Sequence, residues 1–388
     1  MTAPASHIRA SHVLGAHVTP FGKLEGSSTV SLMTEAAQGA LDAAGLQRSD
    51  IDGLICGYST ALPHLMLATV FSEHFGLRPN YAHAIQMGGG TGAGMLMLGD
   101  ALIRAGEAHT ILVVGGENRL TGMSRDAAVQ TLAQVGHPKA ESPLGATIPA
   151  YYALTAARYL HETGASQADL AELAVLMRRL ASDTPGAQLT APIAVDDVLG
   201  SKTIADPLKL MDCCPISDGG AAVILSAEPG EGPGMRIIGA GQAHTHQHIS
   251  EAPDDICLGA KLASARAFER AGASVADMGY LAVYDSFTVT LALLLEALGV
   301  CAPGQAGKDA AAGRFARMGD LPLNTHGGLL SYGHCGVAGA MAHFVEAWRQ
   351  MTGRAGPRQI AGEPALGLYH GDGGVLSSHV SLILERTS

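Results

Sequence analysis

Apolar residues recur along this chain in two ways that take turns. Short continuous runs such as GLICG (53–57), TILVVGG (110–116), AAVILSA (221–227) and YLAV (280–283) have the pattern of strands buried on both faces. Between them lie longer stretches with small and apolar residues at helical spacing, closed by glycines that suit helix C-caps. Strands alternating with helices predict an α/β protein with mixed sheets.

The pattern also repeats. Residues 40–59 (ALDAAGLQRSDIDGLICGYS) align without a gap on residues 267–286 (AFERAGASVADMGYLAVYDS), at an offset of 227. Gly45 meets Gly272, Asp50 meets Asp277 and Leu54 meets Leu281. Each copy reads as a helix, a glycine cap, a short turn and an apolar strand. Farther on, GGGTGAGMLMLGDALIRAGEAHTILVVGGEN (88–118) has the same order as residues 333–374: small residues open a helix, and the strand after it ends in glycines. The chain therefore reads as two duplicated halves meeting near the turn-rich PGEGP (229–233). Residues 1–118 and 206–232 form the first half and 233–388 the second. Residues 119–205 have no counterpart and carry the helical patterns YYALTAARYLHETG and QADLAELAVLMRRLAS, a helical insertion.

Composition narrows the function. A net charge of −11 argues against nucleic acid and against a polybasic membrane surface. No run of 18 apolar residues occurs, so no membrane span is expected. The opening MTAPASHIRASHVLG lacks the basic-then-apolar order of a signal peptide, and six irregularly spaced cysteines suit a reducing compartment. The expectation is a cytoplasmic protein.

Three places can carry chemistry. In NTHGGLLSYGHCGVAGA (324–340), His334 stands at the mouth of a helix, where an imidazole tends to stay neutral and can hydrogen-bond a carbonyl oxygen; Asn324 and Tyr332 lie close by in sequence. A helix cap or a packed core histidine is the plain alternative. In VYDSF (283–287), Tyr284 and Asp285 end a strand, where α/β sites gather, although such a tyrosine is often only a cleft wall. In YHGDGG (369–374), His370 precedes a turn whose backbone N–H groups, near Gly371, can face a ligand. The alternating His244, His246 and His248 invite a metal, but no carboxylate or cysteine partner lies nearby in sequence, and no metal is expected. DCCPISDGG (212–220) and GGEN (115–118) read as structural turns.

These motifs together resemble the thiolase superfamily, in its sterol-carrier-protein thiolase-like branch, over nearly the whole chain. NTHGG…GHCGVAG is similar to the family's Asn-x-x-Gly-Gly…Gly-His segment, and VYDSF to its Asn-Glu-Ala-Phe or His-Asp-Cys-Phe box. The resemblance implies a layered α-β-α-β-α fold. It also marks a loss: with Thr91-Gly92 on the family's Thr-Gly, Gly89 stands where a thiolase has its nucleophilic cysteine, and His370 or its neighbour stands where the second cysteine belongs. Cys335 follows His334 in place of the usual proline and is expected to point elsewhere.

Without a thiolate no acyl-enzyme forms by that route. The chain resembles cysteine-less aldolases that cleave steroid side chains. This implies retro-aldol cleavage of a β-hydroxyacyl-CoA thioester, with Tyr284 or Tyr332 as base or proton relay. His334 and N–H groups at Gly89 and near Gly371 would hold the enolate oxygen, with Asn324, His370 and Asp285 in the substrate-binding shell. CoA enters as part of the substrate, and no covalent cofactor is implied. A homodimer and a small OB-fold/zinc-ribbon partner are the implied assemblies. An acyltransferase with an unexpected nucleophile and a non-catalytic acyl-CoA- or lipid-binding subunit are the alternatives.

Overall fold

A computed structural model describes residues 10–388. Residues 1–9, which carry most of the N-terminal segment weighed above, lie outside the described residues. Nine strands form one mixed sheet: β1 (Ser11–Val18), β2 (Gly53–Gly57), β3 (Tyr81–Ile85), β4 (Thr110–Asn118), β5 (Asp218–Ser226), β6 (Gly234–His244), β7 (Tyr280–Val283), β8 (Leu366–Gly373) and β9 (Ser378–Thr387). Their order is β3-β2-β4-β5-β1-β6-β9-β8-β7.

That order is one motif used twice. β2 runs parallel to β3 and β4, while β4–β5 and β5–β1 are antiparallel. In the second half β7 runs parallel to β8, and β8–β9 and β9–β6 are antiparallel. The register matches as well: Leu54 pairs with Leu112, and its counterpart Leu281 with Leu368. The second-half equivalent of β3 is reduced to a single parallel bridge between Leu281 and Leu323. The halves join where β1 meets β6 antiparallel, Ser11 opposite Ile237.

The longer helices are α1 (Thr29–Ala44), α2 (Leu67–Phe75), α3 (Thr91–Ala105), α4 (Ile148–Thr163), α5 (Gln167–Ala181), α6 (Leu258–Ala271), α7 (Thr288–Ala297) and α8 (Val337–Met351). The aligned glycines do the same work in both halves: Gly45 caps α1 at φ 67° and Gly272 caps α6 at φ 64°, each followed by a 3₁₀ turn and a buried strand. α1 packs on β1, β4 and β5, and α6 on β6 and β9. α3 and α8 lie together in the middle and touch strands of both halves. A Cβ on Gly92 would come within 3.0 Å of Met341, so this glycine sets the close approach of the two central helices. The layers are helix, first-half strands, paired central helices, second-half strands, helix, the two strand layers being continuous through the β1–β6 pairing. α4 and α5 lie between β4 and β5 in the chain, within the stretch that has no counterpart, and pack against second-half elements including α7.

Candidate active site

The two central helices begin side by side, and each start is built around glycine. Gly90 precedes α3, and Gly336 precedes α8 at φ 58°. A Cβ on Gly336 would come within 2.1 Å of Glu117 Oε2, so only glycine lets the chain turn into α8 there. His334 sits two residues ahead of that turn. Its backbone N–H donates to Ser217 Oγ at 2.9 Å.

β7 ends directly opposite, and its next residue is Tyr284. The Tyr284 hydroxyl lies 3.1 Å from His334 Nε2, joining the end of β7 to the start of α8. The same hydroxyl fills the space beside Gly89: a Cβ there would stand 2.4 Å from it and 2.4 Å from the Asp372 carbonyl. Gly89, Tyr284 and His334 thus meet between the two helix starts.

Burial, aided by the positive charge of Arg119, holds the His334 imidazole down to about 3, so the ring is neutral at physiological pH. Burial, with the acidic groups Cys214 and Asp372 nearby, pushes the Tyr284 phenol well above its ordinary range. A standing tyrosinate is therefore disfavoured. The phenol keeps its proton and is the natural donor to the neutral ring.

The other residues singled out in the sequence have different work. Tyr332 is buried, donates its hydroxyl to the Thr19 carbonyl at 3.2 Å, and packs edge-on against Phe21; it does not hydrogen-bond Tyr284 or His334. Asn324, at φ 44°, spends its carboxamide on Val283: Nδ2 donates to the Val283 carbonyl (2.7 Å) and Oδ1 accepts its N–H (2.9 Å). It clamps the edge of β7, with both ends of the carboxamide spent on Val283. Asp285 is buried, with Oδ1 accepting from Leu329 N–H (2.7 Å) and lying 2.9 Å from His343 Nε2, so it braces the turn that leads to His334.

His370 turns away from Gly89, toward Ser381 Oγ (2.8 Å) and His379 Nδ1 (3.2 Å). Its neighbour Gly371 faces the start of α3, where a Cβ would stand 3.0 Å from Ala93. Cys335 is buried with its thiol near Gly219, and burial pushes that thiol well up, which disfavours the thiolate. His244 lies against Gln242 and Ser378, His246 against Thr245 and the Val375 carbonyl, and His248 against the ring of His137. Among the described residues no group of three His, Cys, Asp or Glu side chains could hold a metal ion.

Two features escaped the sequence reading. GGEN is more than a turn: Glu117 is buried, pairs with Arg119 at 2.7 Å and accepts the N–H of Ala61 at 3.0 Å, placing the cation whose field reaches His334. The second is Tyr152, at the start of α4, which reaches into the core and donates to the Gly374 carbonyl at 3.0 Å. Its ring stacks on Phe287, with centroids 4.3 Å apart. A Glu set between glycines and the end of a strand, and two adjacent tyrosines opening a helix, were the available signals.

Comparison with known proteins agrees with this architecture. Residues 11–229 match the family description "Thiolase, N-terminal domain", and residues 241–386 match "Thiolase C-terminal domain-like". The chain is 30% identical to an acetyl-CoA acetyltransferase of Methanothermobacter thermautotrophicus over 95% of its own length and 98% of that protein's. It is 32% identical to a steroid side-chain-cleaving aldolase of Thermomonospora curvata, over 86% of this chain and 89% of that one. A solved structure titled "Ltp2-ChsH2(DUF35) aldolase" superimposes with a TM-score of 0.84 at 29% identity, covering 97% of each chain. With both halves matched and the duplicated fold in place, the chain belongs to the thiolase family.

Proposed function

We infer that this protein is a carbon–carbon lyase that cleaves a β-hydroxyacyl-CoA thioester by a retro-aldol step, giving a ketone or aldehyde and a shortened acyl-CoA. The observation that carries the reading is the pairing of Gly89 with Tyr284: the space for a nucleophilic side chain is taken by a phenol. The chain's likeness to relatives named as an aldolase and a lyase supports it.

In this reading Tyr284 works as a relay and not as a preformed base. Its oxygen takes the proton of the substrate β-hydroxyl as its own proton passes to His334 Nε2, 3.1 Å away. The Cα–Cβ bond then breaks, and its electron pair moves onto the thioester oxygen as an enolate. Backbone N–H groups around Gly89, at the opening of α3, stabilise that oxygen, helped by the positive end of the helix. The low basicity of His334 then releases the proton to solvent, which resets the pair, Tyr284 having been refilled by the substrate's proton.

Incubation of the purified protein with β-hydroxyacyl-CoA thioesters tests this. A released carbonyl compound with a shortened acyl-CoA is expected. Transfer of an acyl group to free CoA, without carbonyl release, would establish the acyltransferase instead. That second reading is favoured by the acetyltransferase relative, which the chain matches over nearly its full length. Absence of both reactions would leave an acyl-CoA-binding subunit.

Two assemblies belong to the same reading. A small OB-fold/zinc-ribbon partner would supply CoA contacts that this acidic chain, with 24 Lys and Arg against 35 Asp and Glu, lacks in any P-loop or basic cluster. The solved neighbour carries a DUF35 component in its title. A homodimer would cover β3, which pairs only with β2 and leaves Ala82, His83 and Ala84 exposed at the sheet edge. The six free cysteines suit a cytoplasmic setting.

A further inference from the structure

Behind the Tyr284–His334 pair lies a second set of titratable groups for which the cleavage step has no use. Asp372 is 1% exposed at the end of β8, and its backbone carbonyl borders Gly89. Its Oδ2 lies 3.4 Å from the Tyr152 hydroxyl. Its Oδ1 has no hydrogen-bond partner and lies 3.7 Å from His379 Nδ1. The chain continues inward: His379 Nδ1 is 3.2 Å from His370 Nε2, and His370 Nδ1 is 2.8 Å from Ser381 Oγ. His379 Nε2 is also buried and unpartnered, beneath α6, where a Cβ on Gly259 would strike its ring.

Two orphaned polar atoms on adjacent buried residues are costly to keep for packing alone. The cluster also borders the site, through the Asp372 carbonyl beside Gly89. Tyr152 holds the Gly374 carbonyl, and a Cβ on Gly88 would stand 3.0 Å from Gly374 N. Tyr152 therefore stands over the opening of α3, where the thioester enolate forms.

We propose that Tyr152 and Asp372 form a second proton-handling pair: Tyr152 delivers the proton that quenches the enolate at Cα, and Asp372 restores it, with His379 and His370 behind. The pair rests on the aldolase reading for its substrate. The balance is simple. A Cα–H bond forms as the Tyr152 O–H breaks; the phenolate takes the proton of the Asp372 carboxyl; solvent returns a proton to Asp372, while the one taken from the β-hydroxyl leaves through His334. No oxidant or reductant is needed. Burial raises the Asp372 carboxyl well above its usual range, which favours its protonated form, and lowers both imidazoles, which favours their neutral form beside it. Tyr152 is the catalytic residue of the pair, and Asp372 acts through it.

The reverse of the quenching step can be read without any C–C cleavage, as exchange of the Cα hydrogens of acetyl-CoA or propionyl-CoA with D2O. Tyr152→Phe is expected to slow exchange on the full-length protein about 100-fold, and Asp372→Asn about tenfold or more. His379→Gln, one step farther back, is expected to slow it by a smaller factor. Thioester binding stays as in wild type, and each variant keeps a single cooperative thermal transition. Exchange within about threefold of wild type in Tyr152→Phe and Asp372→Asn overturns the proposal, as does a loss that appears only as weaker thioester binding. Wild-type protein that binds the thioester and exchanges nothing overturns it too. If wild type exchanges in a Tyr152- and Asp372-dependent way yet cleaves no β-hydroxyacyl thioester, the aldolase reading falls and the pair stands. If cleavage occurs and the variants exchange normally, the pair falls alone.

Discussion

At Gly89 a missing side chain is matched by a present one, because the Tyr284 hydroxyl occupies the volume a Cβ would need. Gly89→Cys is therefore expected to destabilise the fold by about 1–3 kcal/mol through overpacking, read as a fall in denaturant midpoint at unchanged slope. It is also expected to show no thiolysis, since the new thiol is wedged against a phenol and no second thiol is present. Tyr284→Phe keeps the packing and removes the relay. Cleavage is expected to fall by about 100-fold or more with thioester binding intact, as measured by steady-state kinetics beside equilibrium binding. His334 makes a separate prediction about acid. Its folded value is about 3 and its ordinary value 6.5, so between these the unfolded chain binds more protons. Its contribution to stability is complete above about pH 6.5 and fades as pH falls toward 3. In His334→Gln the pH slope of stability in that window should flatten by about one proton, roughly 1.4 kcal/mol per pH unit.

Among the elements, the duplicated helix–cap–strand unit was the most legible part of the chain, because its cues are local. Gly45 and Gly272 have to be glycine to reach φ 67° and 64° without strain, and a strand must follow each 3₁₀ turn. Gly45→Ala and Gly272→Ala are each expected to cost about 1 kcal/mol, a matched pair measurable by urea unfolding. Gly89, Tyr284 and His334 were legible because each ends or opens one of these repeated elements. Tyr332, Asn324 and His370 turn to partners outside the Gly89–Tyr284–His334 cluster, which proximity in sequence does not show, because it says nothing of which way a side chain leaves the backbone. In β8, His370 and Asp372 turn toward β9 and α4, while Gly371 between them faces α3. Glu117 and Tyr152 were missed because their partners, Arg119 apart, are distant in sequence: Thr60 and Ala61 for one, Asp372 and Gly374 for the other.

At the scale of the whole molecule the asymmetry of the halves matters most. The first half keeps β3 as a full strand with an exposed edge, and the second reduces its equivalent to one bridge at Leu323. One edge is thus open to pairing and the other is closed by the chain's own turn. Ala82→Glu with Ala84→Glu would place carboxylates along the open edge. The double variant is expected to shift the proposed homodimer to monomer, seen by size-exclusion chromatography with light scattering. Membership of the thiolase family was readable from motif order over the full length, because duplication writes the topology twice. Quaternary structure leaves no such second copy in the sequence, and edge exposure becomes visible only once the sheet is assembled.

The gapless alignment of the halves sets Gly57 against Tyr284. Gly57 lies beneath Val337 at the start of α8, where a Cβ would come within 2.6 Å, whereas Tyr284 lies beneath Gly89 ahead of α3. Bulk and absence are thus exchanged across the pseudo-twofold: a small strand end meets a branched helix start, and a large strand end meets a bare one. Each pair forms a lock whose two parts have to change together. No single substitution leads from this phenol-filled site to one holding a nucleophilic thiol at position 89, because the intermediate would have to house both side chains or neither. Evolutionary drift between the two chemistries would pass through an overpacked or a hollow site, each at a cost in stability, even where the rest of the scaffold could serve either.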